Sequence, residues 1–119
     1  MKLPNAANAR VEREKIADYL LSSSHPDGAP KARFFAGLGF SARRWRRFAR
    51  ALQEHAATNA VAGVVESRHG TRYIVEGPLR TTGGREADVV SVRIVEKGST
   101  VPRLVTAYPG KGSVHGERT

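Results

Sequence analysis

The chain has 119 residues, no cysteine, and 20 lysines and arginines against 11 acidic residues, which give a net charge of +9. This length fits one domain with a single core, and the missing cysteines exclude disulfides, thiolate metal sites and cysteine nucleophiles. Such a positive charge favours nucleic acid, an acidic protein or anionic lipid as the partner.

The chain shows no sign of a membrane segment or a bound metal. Its apolar runs fall short of the roughly 20 residues of a spanning helix, and residues 1–5 lack the apolar core of a secretory signal. The four histidines follow no metal-ligand spacing, and two of them, His55 and His69, are interpreted as incidental. We therefore expect a cytoplasmic protein with no membrane contact, no metal and no cofactor.

The first two predicted helices are short. Residues 12–21 carry apolar side chains at helical spacing, Tyr19 among them, with charged residues around them. Pro30 suits the first turn of a second helix over residues 31–38, and Gly39 is the glycine that would cap its end.

A third, longer helix is predicted from the N-cap Ser41 to residue 58. Its buried stripe would consist of Trp45, Phe48, Ala49, Leu52 and Ala56. Residues 41–50 also hold five arginines without one acid, of which Arg43, Arg47 and Arg50 lie opposite the stripe. This density can bind an RNA backbone through counterion release, or it can be a solubilising face.

The second half of the chain has the extended pattern of a sheet, rich in Val and Ile and punctuated by Gly. Four strands are predicted, over residues 60–67, 71–76, 87–95 and 103–108. Their short links imply an antiparallel meander, and the apolar face with Val90, Val92 and Ile94 is expected to pack on the helices. The predicted fold is α+β, with about three N-terminal helices on a four-stranded antiparallel sheet. It forms a single domain over residues 3–109, followed by a flexible tail over residues 110–119.

The loop before the second helix offers groups for phosphate chemistry. His25 opens a loop with two prolines, just before a predicted helix, and its ordinary pKa suits either an acid or a base, although a loop histidine can simply cap a turn. Lys31 opens the second helix, where a cation is unfavourable unless an anion is near. Arg33 diverges from Lys31 around the helix and is interpreted as a solvated charge.

The last strand and the turn before the third strand add further candidates. Thr106 and Tyr108 share one face of the strand, and their hydroxyls can hydrogen-bond phosphate oxygens. The alternative is a threonine chosen for its β-propensity and a tyrosine that closes the core. Arg85, in a glycine-containing turn, is a candidate phosphate clamp.

Several of these segments resemble a known family. They are Leu3-Pro-Asn5, Tyr19-Leu-Leu21, His25 to Arg33, Tyr73-x-Val75-x-Gly77 and the run from Pro102 to Pro109. Over residues 3–109 the chain resembles an uncharacterised bacterial domain family that occurs alone and at the C-termini of polymorphic toxins. Its layout of helices before a small sheet is also distantly similar to the barnase, EndoU, colicin and RelE-like ribonuclease group.

The resemblance implies a metal-independent ribonuclease toxin that acts on tRNA or similar RNA and is neutralised by a small acidic antitoxin or immunity protein. In this hypothesis His25, Lys31, Thr106 and Tyr108 are catalytic, Arg85 binds phosphate, and Arg43, Arg47 and Arg50 bind RNA. Two alternatives remain open. One is a non-catalytic RNA-binding module, and the other is a domain whose basic face binds an acidic protein.

Overall fold

The structure is a computed structural model that describes residues 1–22, 29–81 and 83–111. Helix α1 (Arg13–Lys15) continues directly into a π-helical turn (Ile16–Leu20), and it is followed by α2 (Ala29–Gly37) and α3 (Trp45–Thr58). Four strands follow: β1 (Val61–Ser67), β2 (Gly70–Arg80), β3 (Glu86–Glu96) and β4 (Arg103–Pro109). The predicted α+β fold, with three helices before a four-stranded antiparallel sheet, is confirmed.

The predicted N-cap Ser41 caps a 3-10 turn, and the α-helix itself begins later than predicted, at Trp45. The Ser41 hydroxyl oxygen accepts a hydrogen bond from the Arg44 amide over 3.3 Å, and this closes a 3-10 turn (Ala42–Arg44) that leads into the helix. Phe48, Leu52 and Ala56 are fully buried, while Trp45 and Ala49 are partly buried against the core. The predicted apolar stripe of α3 is thus confirmed.

Helix α2 ends at a glycine, as predicted. The Phe40 amide donates to the Phe35 carbonyl over 3.2 Å, and Gly39 between them has φ +98°, a left-handed conformation that glycine adopts at low cost. The reversal brings the ring of Phe40 onto that of Phe48, with centroids 4.5 Å apart, and the ring centroid of Phe35 lies 4.7 Å from that of Phe48. These rings form the centre of the core between helices and sheet.

The sheet is a meander in the order β1-β2-β3-β4, and all neighbouring strands are antiparallel. Strand β2 runs to Arg80, four residues beyond its predicted end, although it contains Pro78. The proline fits because β1 pairs with β2 only as far as Val75, so that no neighbouring strand on that side needs the missing amide hydrogen.

The orientation of β3 is opposite to the one predicted. Ser91 and Arg93, not the neighbouring valines, face the helices: the Ser91 hydroxyl contacts His55 of α3, and the Arg93 side chain reaches a main-chain carbonyl of α3. The expectation was wrong because a buried arginine, here one that donates to Ser91 and Leu52, looks like a solvent-facing charge in the sequence pattern.

Among the residues that the structure describes, no helix combines the length and the apolar character that crossing a membrane requires.

Candidate functional site

Three polar side chains from separate elements meet at one place. Tyr19 comes from the π-helical turn, Lys31 from the first turn of α2, and Thr106 from the middle of β4. The Thr106 hydroxyl oxygen lies 3.1 Å from the Tyr19 hydroxyl oxygen and 3.2 Å from Lys31 Nζ, and Lys31 also donates a hydrogen bond to Tyr19. We call these three partly buried residues the Tyr19 cluster.

Two irregularities of the backbone set the direction of its members. In the π-helical turn the Leu21 amide donates to the Ile16 carbonyl, five residues back, which changes the rotation of Tyr19 around the helix. In β4, Leu104 pairs with Arg93 and Thr106 with Val92, so that Val105 is an additional bulged residue. Both π-turns and bulges occur preferentially at functional sites, where they re-aim a side chain.

Two lysines surround the Tyr19 ring. The ammonium groups of Lys31 and Lys15 lie 4.8 Å and 5.3 Å from its centroid. Burial alone would raise the pKa of Tyr19, but the hydrogen bonds from Lys31 and Thr106 and the charges of the two lysines outweigh it, and the net pKa is lowered. The Tyr19 phenol therefore releases its proton more easily than an ordinary tyrosine does.

An open cleft of about 540 Å³ lies beside Tyr19. Its wall is formed by Glu12, Glu14, Lys15, Asp18, Tyr19 and Arg103. The Arg103 guanidinium is held by Glu12 at 3.8 Å and Glu96 at 3.2 Å, which fixes this side of the cleft. Tyr19 therefore borders a cleft that is open to solvent.

The structure brings Lys31 and Thr106 into direct contact, as their assignment to one site requires, whereas the other candidates are placed differently. His25 lies outside the described residues. The Tyr108 side chain is 37% exposed, and its hydroxyl makes no hydrogen bond within residues 1–22, 29–81 and 83–111. Arg85 is exposed in the β2–β3 turn. It lies seven residues before Val92, the strand partner of Thr106, which corresponds to about 23 Å of extended chain between Arg85 and the level of the cluster.

Comparison with known proteins gives a family and a fold. The family model described as "Domain of unknown function (DUF6883)" matches residues 2–111. The chain belongs to this family. A chain of the contact-dependent growth inhibition toxin–immunity protein complex from Klebsiella pneumoniae 342 has a similar fold, with a TM-score of 0.61 and 20% identity over 90% of this chain and 97% of that one. No curated protein matches the sequence.

The predicted RNA-binding arginines of this DUF6883 domain lie on one exposed surface. Arg43 is in the 3-10 turn before α3, and Arg47 and Arg50 are on α3 itself, all three exposed. The ion pairs found within the described part of the chain involve none of them. Their charges are thus available to an anionic partner.

A buried hydrogen-bonded chain in the DUF6883 domain was missed by the sequence interpretation. Arg93 Nε donates to the Ser91 hydroxyl over 3.3 Å, that hydroxyl lies 3.1 Å from His55 Nδ1, and His55 Nε2 lies 2.9 Å from the Val89 carbonyl oxygen and 3.1 Å from that of Gly77. Because carbonyls only accept, His55 carries its proton on Nε2, and the Ser91 hydroxyl donates to Nδ1. His55, interpreted from sequence as incidental, links α3 to two strands.

Burial lowers the pKa of both titratable members of this hydrogen-bonded series, His55 and Arg93. It lowers the pKa of His55, to which the nearby charge of Arg93 adds, and hydrogen bonds to the Gly77 and Val89 carbonyls only partly offset the effect. Burial also lowers the pKa of Arg93 to about 10. At neutral pH Arg93 is therefore a buried cation, and its NH2 group donates to the Leu52 carbonyl over 2.5 Å.

Tyr19 is the member of the cluster that the sequence analysis did not propose as a site residue, because it was counted among the apolar positions of the first helix. Its helical spacing with apolar neighbours concealed the hydroxyl, which points instead to Lys31 and Thr106. One signal could have found it, since Lys15 precedes Tyr19 by four residues, the spacing at which helical side chains contact each other.

Within the described ranges, no group of three or more His, Asp or Glu side chains is arranged to hold a metal ion.

Proposed function

We propose that this DUF6883 domain is a metal-independent ribonuclease toxin that acts on tRNA or similar RNA, with the Tyr19 cluster as the core of its active site. The observation that carries the proposal is the hydrogen-bonded triangle of a phenol of lowered pKa, an ammonium group and a hydroxyl. The fold shared with a chain of a toxin–immunity protein complex agrees with this function but does not carry it.

Cleavage of RNA without a metal requires a general base, a general acid and cationic groups that stabilise the transition state. A base removes the proton of the ribose 2′-hydroxyl, whose oxygen forms a bond to phosphorus. The bond from phosphorus to the 5′-oxygen then breaks, and an acid supplies the proton that this oxygen takes up. Cations stabilise the extra negative charge on the phosphate oxygens in between. The products are a 2′,3′-cyclic phosphate and a free 5′-hydroxyl.

The Tyr19 cluster can supply one proton transfer and the charge stabilisation. Tyr19 exchanges the proton, since its pKa lies below that of an ordinary phenol. The Lys31 ammonium has three donors, of which two are used by Tyr19 and Thr106, so a third can bind a phosphate oxygen. We assign the second proton transfer to His25, six residues before Lys31, and a substrate contact to Tyr108 and Arg85.

A small acidic antitoxin or immunity protein is proposed as the natural inhibitor. The net charge of +9 and the exposed arginines of α3 provide a surface to which an acidic protein would bind. The structurally similar chain comes from a complex of a growth inhibition toxin with its immunity protein. The same arginines favour a second candidate function, RNA binding without cleavage, which the following experiment separates.

The test is the incubation of purified protein with total bacterial RNA in EDTA. Tyr19→Phe, Lys31→Met and Thr106→Val remove one member of the cluster each, and His25→Ala removes the assigned second proton-transfer group. We expect discrete fragments from the wild type and a rate about 10²–10⁴-fold lower in Tyr19→Phe. Matched controls are Tyr73→Phe on β2 and Lys97→Met, an exposed residue after β3, which should cleave like the wild type.

Each outcome of this test has a definite meaning. Intact RNA with folded wild-type protein contradicts the ribonuclease proposal. Equal loss of cleavage in Lys31→Met and Lys97→Met would show that only total charge matters and that the cluster is not the active site. Retention of uncut RNA that is lost in an Arg43→Gln, Arg47→Gln, Arg50→Gln variant would support the non-catalytic module.

A further inference from the structure

A second cleft, of about 340 Å³, lies between the N-terminal segment and α3. Its main lining residues are Arg10, Val11, Trp45, Arg46, Ala49 and Arg50, and its lining contains no carboxylate. It thus combines an apolar floor with three guanidinium groups. The sequence interpretation placed Trp45 in the buried stripe and did not connect Arg10 with α3.

Trp45 provides an aromatic surface in this cleft. Its side chain is partly buried against the core and also lines the cleft, so part of the indole ring remains accessible. The Arg46 guanidinium lies 4.9 Å from the ring centroid, which adds a second planar group at the same place. Nucleic-acid bases stack on both aromatic rings and guanidinium planes.

The three arginines of the cleft carry uncompensated charge. Arg10, Arg46 and Arg50 are all exposed, and the ion pairs found in the described ranges include none of them. Three guanidinium groups around one cleft repel each other unless an anion lies between them. Phosphate is a well-matched anion, because guanidinium binds it through two parallel hydrogen bonds.

This cleft adjoins the one that contains Tyr19. Arg10 and Val11 line the first cleft, and the next residue, Glu12, lines the second. Arg103, on the wall of the second cleft, pairs with Arg10 through a parallel bridge. The two clefts are thus neighbours along the N-terminal segment.

We propose that the Trp45 cleft binds one unpaired nucleotide of the RNA substrate, with its base stacked against Trp45 and its flanking phosphates on Arg10, Arg46 and Arg50. The inference rests on the proposed function, because it names the substrate as RNA with a single-stranded segment beside the cleaved bond. An acidic protein would satisfy the arginines but would leave the role of the aromatic ring unexplained.

The test uses Trp45 as its own reporter, because it is the only tryptophan of the chain. A single-stranded 2′-O-methyl oligonucleotide has no free 2′-hydroxyl and is not cleaved by the proposed reaction, so its titration measures binding alone. We expect saturable quenching of Trp45 fluorescence. In fluorescence anisotropy with a labelled oligonucleotide, Arg46→Gln/Arg50→Gln should bind at least tenfold more weakly than the wild type.

The matched control is Arg68→Gln/Arg72→Gln, which removes the same charge from exposed positions at the β1–β2 hairpin and should bind within about twofold of the wild type. Equal weakening in both double variants, or binding without any change in Trp45 fluorescence, overturns the cleft proposal. Stronger competition by polyglutamate than by the oligonucleotide also overturns it, in favour of an acidic protein.

The outcome is separate from that of the cleavage experiment. Quenching that depends on Arg46 and Arg50 in a protein that leaves RNA intact would support the cleft as a nucleotide-binding site and contradict the ribonuclease. Cleavage of RNA by a protein whose Trp45 does not respond to the oligonucleotide would support the ribonuclease and contradict the cleft.

Discussion

Lys31 on α2 donates a hydrogen bond to Thr106 on β4 over 3.2 Å, although 75 positions separate them in the chain. Tyr19 closes the triangle from the π-helical turn. Because Thr106 is uncharged, the effect of the Lys31 charge within this triangle falls on the Tyr19 phenol, whose pKa it lowers.

Replacement of Lys31 by Met should raise the pKa of Tyr19. The substitution removes both the hydrogen bond and the nearest of the charges that lower this pKa, while the burial that raises it remains. Spectrophotometric titration of phenolate absorbance measures the effect: the wild type should show a component that titrates below the ordinary phenol pKa of about 10, and Tyr19→Phe should remove that component.

The lowered pKa of Tyr19 also makes the stability of the folded protein depend on pH in the alkaline range. Because the folded-state pKa of Tyr19 is depressed, its ionisation stabilises the folded protein at pH values above the ordinary phenol pKa of about 10, and this contribution disappears as the pH falls through the folded value. Lys97→Met is the control for lost charge, and an equal rise of the Tyr19 pKa in that variant would contradict a local effect.

The order and type of the elements could be predicted because local signals agree with the fold. The apolar stripe of α3 has a 3.6-residue period, Gly39 stands at a helix end, and short turns separate the strands. The end of β2 was predicted too early, because a proline such as Pro78 usually ends a strand. It is tolerated here because β1 pairs with β2 only as far as Val75, which the sequence does not show.

The buried face of β3 and part of the site could not be predicted for a related reason. Arg93 is fully buried because Leu52 and Ser91 bind its guanidinium, and these partners lie 41 and two positions away. Tyr19 follows the apolar spacing of a core residue, and only the π-turn and the Val105 bulge turn it and Thr106 toward each other. Neither irregularity has a sequence signature as clear as a glycine turn.

The stability of the protein should fall as the pH drops below about 6.5, the ordinary histidine value. His55 has a lowered pKa in the folded state, so between the two values the unfolded chain binds a proton that the folded one does not. The contribution of His55 is therefore fully present above the ordinary value and is lost toward acid pH. Urea unfolding between pH 7.5 and pH 5 measures it.

His55→Gln tests the assignment of this pH dependence. The variant should lose most of the acid slope, and it should be destabilised at pH 7.5 by about 1–3 kcal/mol, because Ser91 and two carbonyls lose their partner. His69→Gln, at an exposed turn, is the matched control and should keep the wild-type slope. The same acid slope in His55→Gln as in the wild type would assign the pH dependence to other groups.

Gly77→Ala should destabilise the domain by about 1–3 kcal/mol. Gly77 has φ +157°, and an added Cβ would lie 2.1 Å from Asn59 Oδ1. Asn59 cannot yield without loss, because its amide donates to the His55 carbonyl at the end of α3 and to the Pro78 carbonyl in β2. Thermal or urea unfolding gives the cost directly.

A double-mutant cycle separates the clash from the backbone strain at Gly77. In an Asn59→Ala background the clash is absent, so Gly77→Ala should cost less than in the wild type by about 1 kcal/mol. Gly83→Ala, where an added Cβ meets no atom within 4 Å, is the control and should be nearly neutral. If the losses in unfolding free energy from Gly77→Ala and Asn59→Ala are additive, the added Cβ does not clash with Asn59.

The salt dependence of RNA binding should be smaller when the predicted RNA-binding arginines are removed. Each cation that contacts a phosphate of a single strand contributes about 0.7 to the slope of log affinity against log salt. Arg43→Gln, Arg47→Gln and Arg50→Gln remove three exposed cations from one surface, so the slope should fall by about 2. Anisotropy titrations at several salt concentrations provide the slope.

The control for this slope is a triple variant with the same loss of charge on another part of the surface. Arg68→Gln, Arg72→Gln and Lys97→Gln lie near adjacent turns at one end of the sheet, where the Lys97 amide donates to the His69 carbonyl over 3.2 Å. If RNA binds along α3, this variant should keep the wild-type slope. If both variants lose the same slope, the RNA responds to net charge alone, and the α3 surface has no special role in binding.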